Sequence, residues 1–200
     1  MSTTFVIVRH GDTFAPGDPP RRIGARTDLP LVESGRAQAA ALGEAFAARG
    51  WHFDRVLAAS LRRARDTAAV IRAALPGAPA IEDAGFLAEI DHGPDEDRTE
   101  AEVRARVGAD ALAAWDAHGV PPPGWHVDPA ARLAAWRALF AEPGGERILL
   151  VTSNGAARFA LLAAPGLAQG LTSLKLRTGA YGVLRTSLGE TARLAWDERP

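Results

Sequence analysis

Arg9 and His10 carry the first chemistry in the chain. They follow Phe5-Val6-Ile7-Val8, an apolar and mostly β-branched run that reads as a strand buried on both faces, and they precede Gly11, Asp12 and Thr13. A buried strand ending in an arginine and a histidine delivers both to its C-terminal edge, where open α/β sheets bind ligands. The arginine grips phosphate oxygens bidentately and keeps its charge. An imidazole is a competent nucleophile towards phosphorus near neutral pH. Together they ask for a phosphate ester.

Composition narrows the alternatives. The chain has no cysteine, which excludes disulfides, thiolate metal sites and cysteine nucleophiles. Lys175 is the single lysine, so Schiff-base and P-loop lysine chemistry is removed from almost the whole chain. Asp91, Asp95, Glu96 and Asp97 form an acidic cluster without the spacing of a metal loop, and no metal or cofactor is expected. A formal net charge of −1 gives no sign of a nucleic-acid or membrane surface. No apolar run reaches membrane length, so the expected location is cytoplasmic.

The elements that position these groups can be read from caps and periodicity. Ser34 is a good N-cap for a helix over residues 35–49, which Gly50 ends. Residues 53–59 read as a strand, 61–75 as a helix stopped by Pro76-Gly77, and 80–83 as a short strand. Two helices, 99–118 and 128–142, are joined by a Pro- and Gly-rich loop over 119–126. Residues 148–152 form a second strand of the fully apolar kind, followed by Ser153-Asn154-Gly155 and a helix over 156–164. Three short strands, 171–177, 181–186 and 191–196, complete the reading.

Arg-His-Gly-Asp-Thr at the end of a first strand resembles the signature of the histidine phosphatase superfamily, the phosphoglycerate-mutase-like fold. Residues 23–31 resemble that family's glycine, Thr-Asp and Pro-Leu pattern, and Leu61 to Ala68 matches its Leu-x-Arg-Ala-x-x-Thr-Ala motif. Residues 86–93 resemble its Leu-x-Glu-x-x-x-Gly segment. The resemblance implies a three-layer α/β/α sandwich with a mainly parallel sheet, one domain over residues 1–200, and a helical insert at about 92–145. It implies that His10 is phosphorylated during turnover, that Arg9 and Arg63 clamp the phosphate, and that Glu89 is the proton donor. Arg63 in the first turn of its helix adds charge to the positive helix end, and the apolar neighbours of Glu89 favour a protonated carboxyl. Ser153 and Asn154 are expected at the phosphate. Thr13, Arg26, His92, Trp125 and His126 are the candidate substrate contacts, with Trp125 and His126 on the stiff loop as a possible lid. Trp115 and Trp136 are expected to pack inside the insert. The partner is a small phosphorylated substrate; nucleic acid and membrane are not expected, and the oligomeric state is open.

One position departs from the family. Its second catalytic histidine, in a Val-Thr-His-Gly context, aligns with Ser153. A hydroxyl gives a neutral hydrogen bond where an imidazolium gives a charged one, a difference of roughly 1–2 kcal/mol or about 5- to 30-fold in rate. Ser153 as N-cap would turn the amides of the next helix towards an anion in partial compensation, and His92 or His126 could supply an imidazole. The expectation is a metal-independent phosphatase of weakened activity. A binding pseudoenzyme and a phosphoglycerate-type mutase stand as alternatives. A serine-hydrolase reading of Ser153 fails because no histidine follows it.

Overall fold

The computed structural model describes residues 2–142 and 144–200. The centre of the sheet is built from the two strands with unbroken apolar runs. β1 (Thr3–Arg9) and β6 (Arg147–Thr152) lie parallel, in register from Thr4 opposite Arg147 to Arg9 opposite Thr152. Phe5 to Val8 and Ile148 to Val151 are all buried, as a strand covered on both faces requires. Beyond them come β3 (Arg55–Ala58) and β4 (Ile81–Asp83) on one side, and β7 (Tyr181–Ser187) and β8 (Glu190–Glu198) on the other. The order is β4-β3-β6-β1-β7-β8; the first four are parallel, and β7 and β8 run antiparallel at the edge. A two-stranded ribbon, β2 (Arg21–Arg22) with β5 (Arg98–Thr99), ties the loop after β1 to the insert.

Helices cover the sheet in pairs. α1 (Glu33–Ala48) packs on α2 (Arg62–Ala73), burying Ala39, Leu42 and Phe46 at helical spacing. α5 (Pro129–Phe140) packs on α6 (Asn154–Leu162), and α6 reaches β1. The chain leaves β1 for α1 and β3, then returns to place β6 between β3 and β1. The connections therefore diverge where the C-terminal ends of β1 and β6 lie side by side, the crevice in which sheets of this kind bind ligands.

Several expected elements take a different form. α1 begins one residue before Ser34, with Val32 as its cap, and Ser34 Oγ instead donates to Asp12 Oδ2 at 3.3 Å. The single helix expected over 99–118 is two, α3 (Glu100–Val107) and α4 (Ala109–His118), because Gly108 between them adopts φ of 84°, which a continuous helix cannot hold. Residues 171–177 form no strand. Their backbone is taken by side chains instead: Leu176 N–H donates to Asn154 Oδ1 at 2.9 Å, and Leu176 O accepts from Arg9 Nη1 at 2.9 Å. Trp136 packs in the core against Phe140 of its own helix and against Phe86, so it joins the expected insert to the segment before it rather than packing wholly inside it.

Candidate active site

The ends of β1 and β6 open on a cavity of about 560 Å³. Arg9, His10, Thr13, Glu89, His92 and Asn154 lie in its wall.

His10 is held by the sheet itself. Its N–H donates to Thr152 O at 3.0 Å, continuing the β1–β6 ladder one residue beyond the strand. Nδ1 lies 2.8 Å from the Gly11 carbonyl, which can only accept, so Nδ1 carries the proton and Nε2 a lone pair. Burial, reinforced by the charges of Arg9 and Arg63, holds the imidazole well below its usual pKa despite the Gly11 carbonyl. The His10 imidazole is therefore neutral at pH 7.

The two arginines are placed by backbone oxygens. Arg9 donates to Leu176 O, and Arg63 donates through Nη1 to Thr27 O at 2.6 Å and through Nη2 to Gly24 O at 3.1 Å. The Nε of each is buried without a hydrogen-bond partner. Arg63 is fully buried and stands outside the cavity wall, reaching His10 through its charge. Thr67 joins the two motifs, because its Oγ1 accepts from Gly11 N–H at 3.1 Å and donates to Arg63 O at 2.7 Å. Asp12 is committed elsewhere, accepting from Gln38 Nε2 at 2.8 Å and from Thr178 Oγ1.

Glu89 owes its position to β6 and α6. Thr152 Oγ1 donates to Leu87 O at 2.6 Å, fixing the segment before Glu89 against the strand end. The buried carboxylate then accepts from Ile90 N–H at 2.9 Å and Gly155 N–H at 3.3 Å. A Cβ at position 155 would lie 2.2 Å from Glu89 Oε1, so only glycine admits the carboxylate at the start of α6. The amide that Ser153 was expected to turn towards an external anion is thus given to Glu89. Ser153 occupies the N-cap position, is buried outside the cavity wall, and makes no side-chain cap bond.

The remaining candidates divide. Arg21 and Arg22 line the cavity, whereas Arg26 pairs with Asp91 at 3.0 Å outside it. Trp125 is buried and donates to Asp95 Oδ2 at 2.6 Å, and His126 is exposed, 3.1 Å from Asp91 Oδ2; neither lines the cavity. Sequence reasoning missed Trp115, Asp116, Arg158 and Lys175 in the wall. Lys175 Nζ meets Asp116 Oδ2 at 2.8 Å, and the Arg158 guanidinium lies 4.1 Å over Trp115, its pKa pushed down to about 10 by burial. That the only lysine lines the cavity was the one available signal. Among the described residues no group of three or more His, Asp or Glu side chains could hold a metal, and no helix is long and apolar enough to cross a membrane.

The chain is similar to known proteins in sequence and in fold. The 2,3-bisphosphoglycerate-dependent phosphoglycerate mutase of Methylobacterium sp. (strain 4-46) is 33% identical over 173 residues, 82% of this chain and 83% of that protein. The structure described as mycobacterial hydrolase 1 superposes with a TM-score of 0.81 at 24% identity, covering all of both chains. That of mycobacterial glucosyl-3-phosphoglycerate phosphatase gives 0.78 at 24% identity, covering 98% of this chain and 99% of that one. The sequence profile of the histidine phosphatase superfamily (branch 1) matches residues 5–198, which span the strand bearing His10, the helix of Arg63 and the turn that holds Glu89. By that match the chain belongs to the histidine phosphatase superfamily.

Proposed function

We propose that the protein hydrolyses a small phosphomonoester through a phosphohistidine on His10. The observation that carries this reading is the His10 ring, neutral, with Nδ1 committed to Gly11 O and its Nε2 lone pair free in the cavity. Nε2 attacks phosphorus in line while the ester P–O bond breaks, and Glu89, carrying a proton taken up with the substrate, gives it to the leaving oxygen. Water then attacks the phosphohistidine, Glu89 takes the water proton, and the P–N bond breaks to return neutral His10. Arg9 in the wall holds the charge on the equatorial oxygens, and Arg63, buried behind the wall, adds its positive charge to the site without touching the ester. This scheme requires no metal or cofactor. Arg21, Arg22, Lys175 and Asp116 in the same wall favour a substrate whose body carries further polar or anionic groups.

The resemblance to a phosphoglycerate mutase supports a second reading, in which phosphohistidine passes its phosphoryl group to another hydroxyl. Phosphate release from p-nitrophenyl phosphate and a panel of phosphoesters, including 2- and 3-phosphoglycerate, separates them when EDTA is present and His10→Ala is the control. Hydrolysis that persists in EDTA and falls at least 1,000-fold in His10→Ala is expected (roughly 4 kcal/mol of barrier). Interconversion of the phosphoglycerates without release favours the mutase. No turnover of any ester, in protein that binds vanadate, makes it a phosphate-binding module.

A further inference from the structure

The cavity wall holds a second imidazole. His92 is 4% exposed, lines the cavity with Arg9, His10 and Glu89, and packs edge-on against Trp125 with ring centroids 4.6 Å apart. Packing on Trp125 needs only an apolar ring, yet this ring brings two nitrogens whose bonding is unfinished. Nδ1 is buried without a hydrogen-bond partner, 3.6 Å from Glu96 Oε2. Nε2 has no protein partner among the described residues and is left to the cavity. An unpaired buried polar atom costs about 1–3 kcal/mol, which packing alone does not explain.

The surroundings prepare this ring for an anion. Glu96 Oε1 accepts from Thr27 Oγ1 at 2.7 Å and from the amides of Gly24 and Arg26 at 2.8 and 3.1 Å, while Oε2 accepts from His92 N–H at 3.3 Å. Burial pushes this carboxyl up, but His92, Thr27 and the amides outweigh it and bring it down to about 2. The permanent carboxylate sits on the Nδ1 side, which leaves Nε2 as the nitrogen available to a bound anion. Gly24 fixes the distance to the phosphate apparatus. A Cβ there would lie 2.5 Å from His92 Nδ1, and Gly24 O accepts from Arg63 Nη2 at 3.1 Å. One glycine separates His92 from the arginine whose charge acts on His10.

We propose that His92 is the second imidazole of the phosphoryl site, its Nε2–H donating to an equatorial oxygen of the bound ester and of phosphohistidine. The proposal rests on the His10 reading above. Glu96 is the positioning residue, accepting from Nδ1–H once the ring closes the 3.6 Å gap. A ring that donates on both sides is the imidazolium; it takes its second proton from solvent when the dianion binds, and that proton stays on the ring throughout. His92 therefore supplies from the turn after Glu89 the charged donor that Ser153 cannot.

The test is tungstate binding to the full chain, followed by 15N spectra of its five imidazoles, with turnover and melting temperature of wild type, His92→Phe, His92→Gln and Glu96→Gln. Tungstate is expected to shift both His92 nitrogens to the doubly protonated pattern, and Glu96→Gln to reduce that shift. His92→Phe keeps the packing on Trp125 and is expected to weaken tungstate and lower kcat by about 10- to 100-fold, with His92→Gln in between. Absence of tungstate binding, binding that leaves the His92 nitrogens unmoved, or a His92→Phe protein with wild-type kcat overturns the proposal. A wild-type protein without turnover or phosphohistidine, whose His92 still responds to tungstate, overturns the hydrolase reading and leaves His92 as an anion ligand.

Discussion

A single hydroxyl couples the backbone beside His10 to that of Arg63. Gly11 N–H, next to His10, donates to Thr67 Oγ1, and the same oxygen donates to Arg63 O. Thr67→Val preserves shape and removes both bonds, leaving a buried amide unsatisfied; a loss of about 1–3 kcal/mol is expected, measured as a lower urea midpoint with unchanged slope. Residues of this kind decide what a sequence reveals. That Arg9 and His10 share one wall was legible because they are adjacent at the end of one strand, and the place of Glu89 there because it sits in a motif of fixed spacing; Arg63, from a motif of the same kind, lies behind the wall. Arg158 and Lys175 were not legible, since they come from distant elements that only the folded chain assembles beside Asp116. Trp125 and His126 seemed placed for a lid from their proline-rich loop, yet partners on the preceding segment draw them elsewhere, Asp95 for one and Asp91 for the other.

The decisive feature at the level of elements is the start of α6, where an acid and a helix end meet. Glu89 enters from the turn at Gly85–Leu87 and receives the Gly155 amide, so the positive end of α6 holds the chain's own carboxylate. Gly155→Ala places a methyl group 2.2 Å from Glu89 Oε1, and the carboxylate must move. Because the displaced atom is the end of a flexible side chain, the melting temperature is expected to change by only a few degrees. On the proposed mechanism Glu89 is the proton donor, and a donor misplaced by about 1 Å costs on the order of 100-fold in kcat, a loss that a steady-state comparison of kcat with KM reads. The apolar runs of β1 and β6 predicted their strands because burial on both faces leaves no alternative pattern. Residues 171–177 deceived because hydrophobicity does not report where backbone amides go, and here Asn154 and Arg9 claim them. The break at Gly108 was overlooked because one glycine inside a helical pattern is usually tolerated.

For the molecule as a whole, the same groups that prepare the site make its stability depend on pH. The architecture was readable from two apolar strands and the helices between them, but the charges buried at the sheet's edge depend on tertiary contacts. His10 is held well below 6.5 in the folded chain, chiefly by burial. The unfolded chain therefore takes up that proton first, so this contribution is complete above about pH 6.5 and is lost as pH falls from there towards the folded value. Glu96, brought from 4.5 down to about 2, works in the lower window. Its contribution, on the order of 3 kcal/mol, is present above pH 4.5 and lost as pH falls towards 2. Asp95 and Asp91, also lowered from 3.8, act in the same direction. Calorimetry from pH 8 to 2 is expected to show two stages, a first decline beginning near pH 6.5 and a second below pH 4.5 of about 6–12 °C. His10→Asn removes the group that titrates in the upper window and should abolish the first stage alone. A wild-type melting temperature that stays constant from pH 7 to 5 would mean that His10 takes its proton as readily in the folded chain as in the unfolded one. On the proposed mechanism His10 would then be lost to protonation in mild acid, and kcat/KM would fall with it below about pH 6.5.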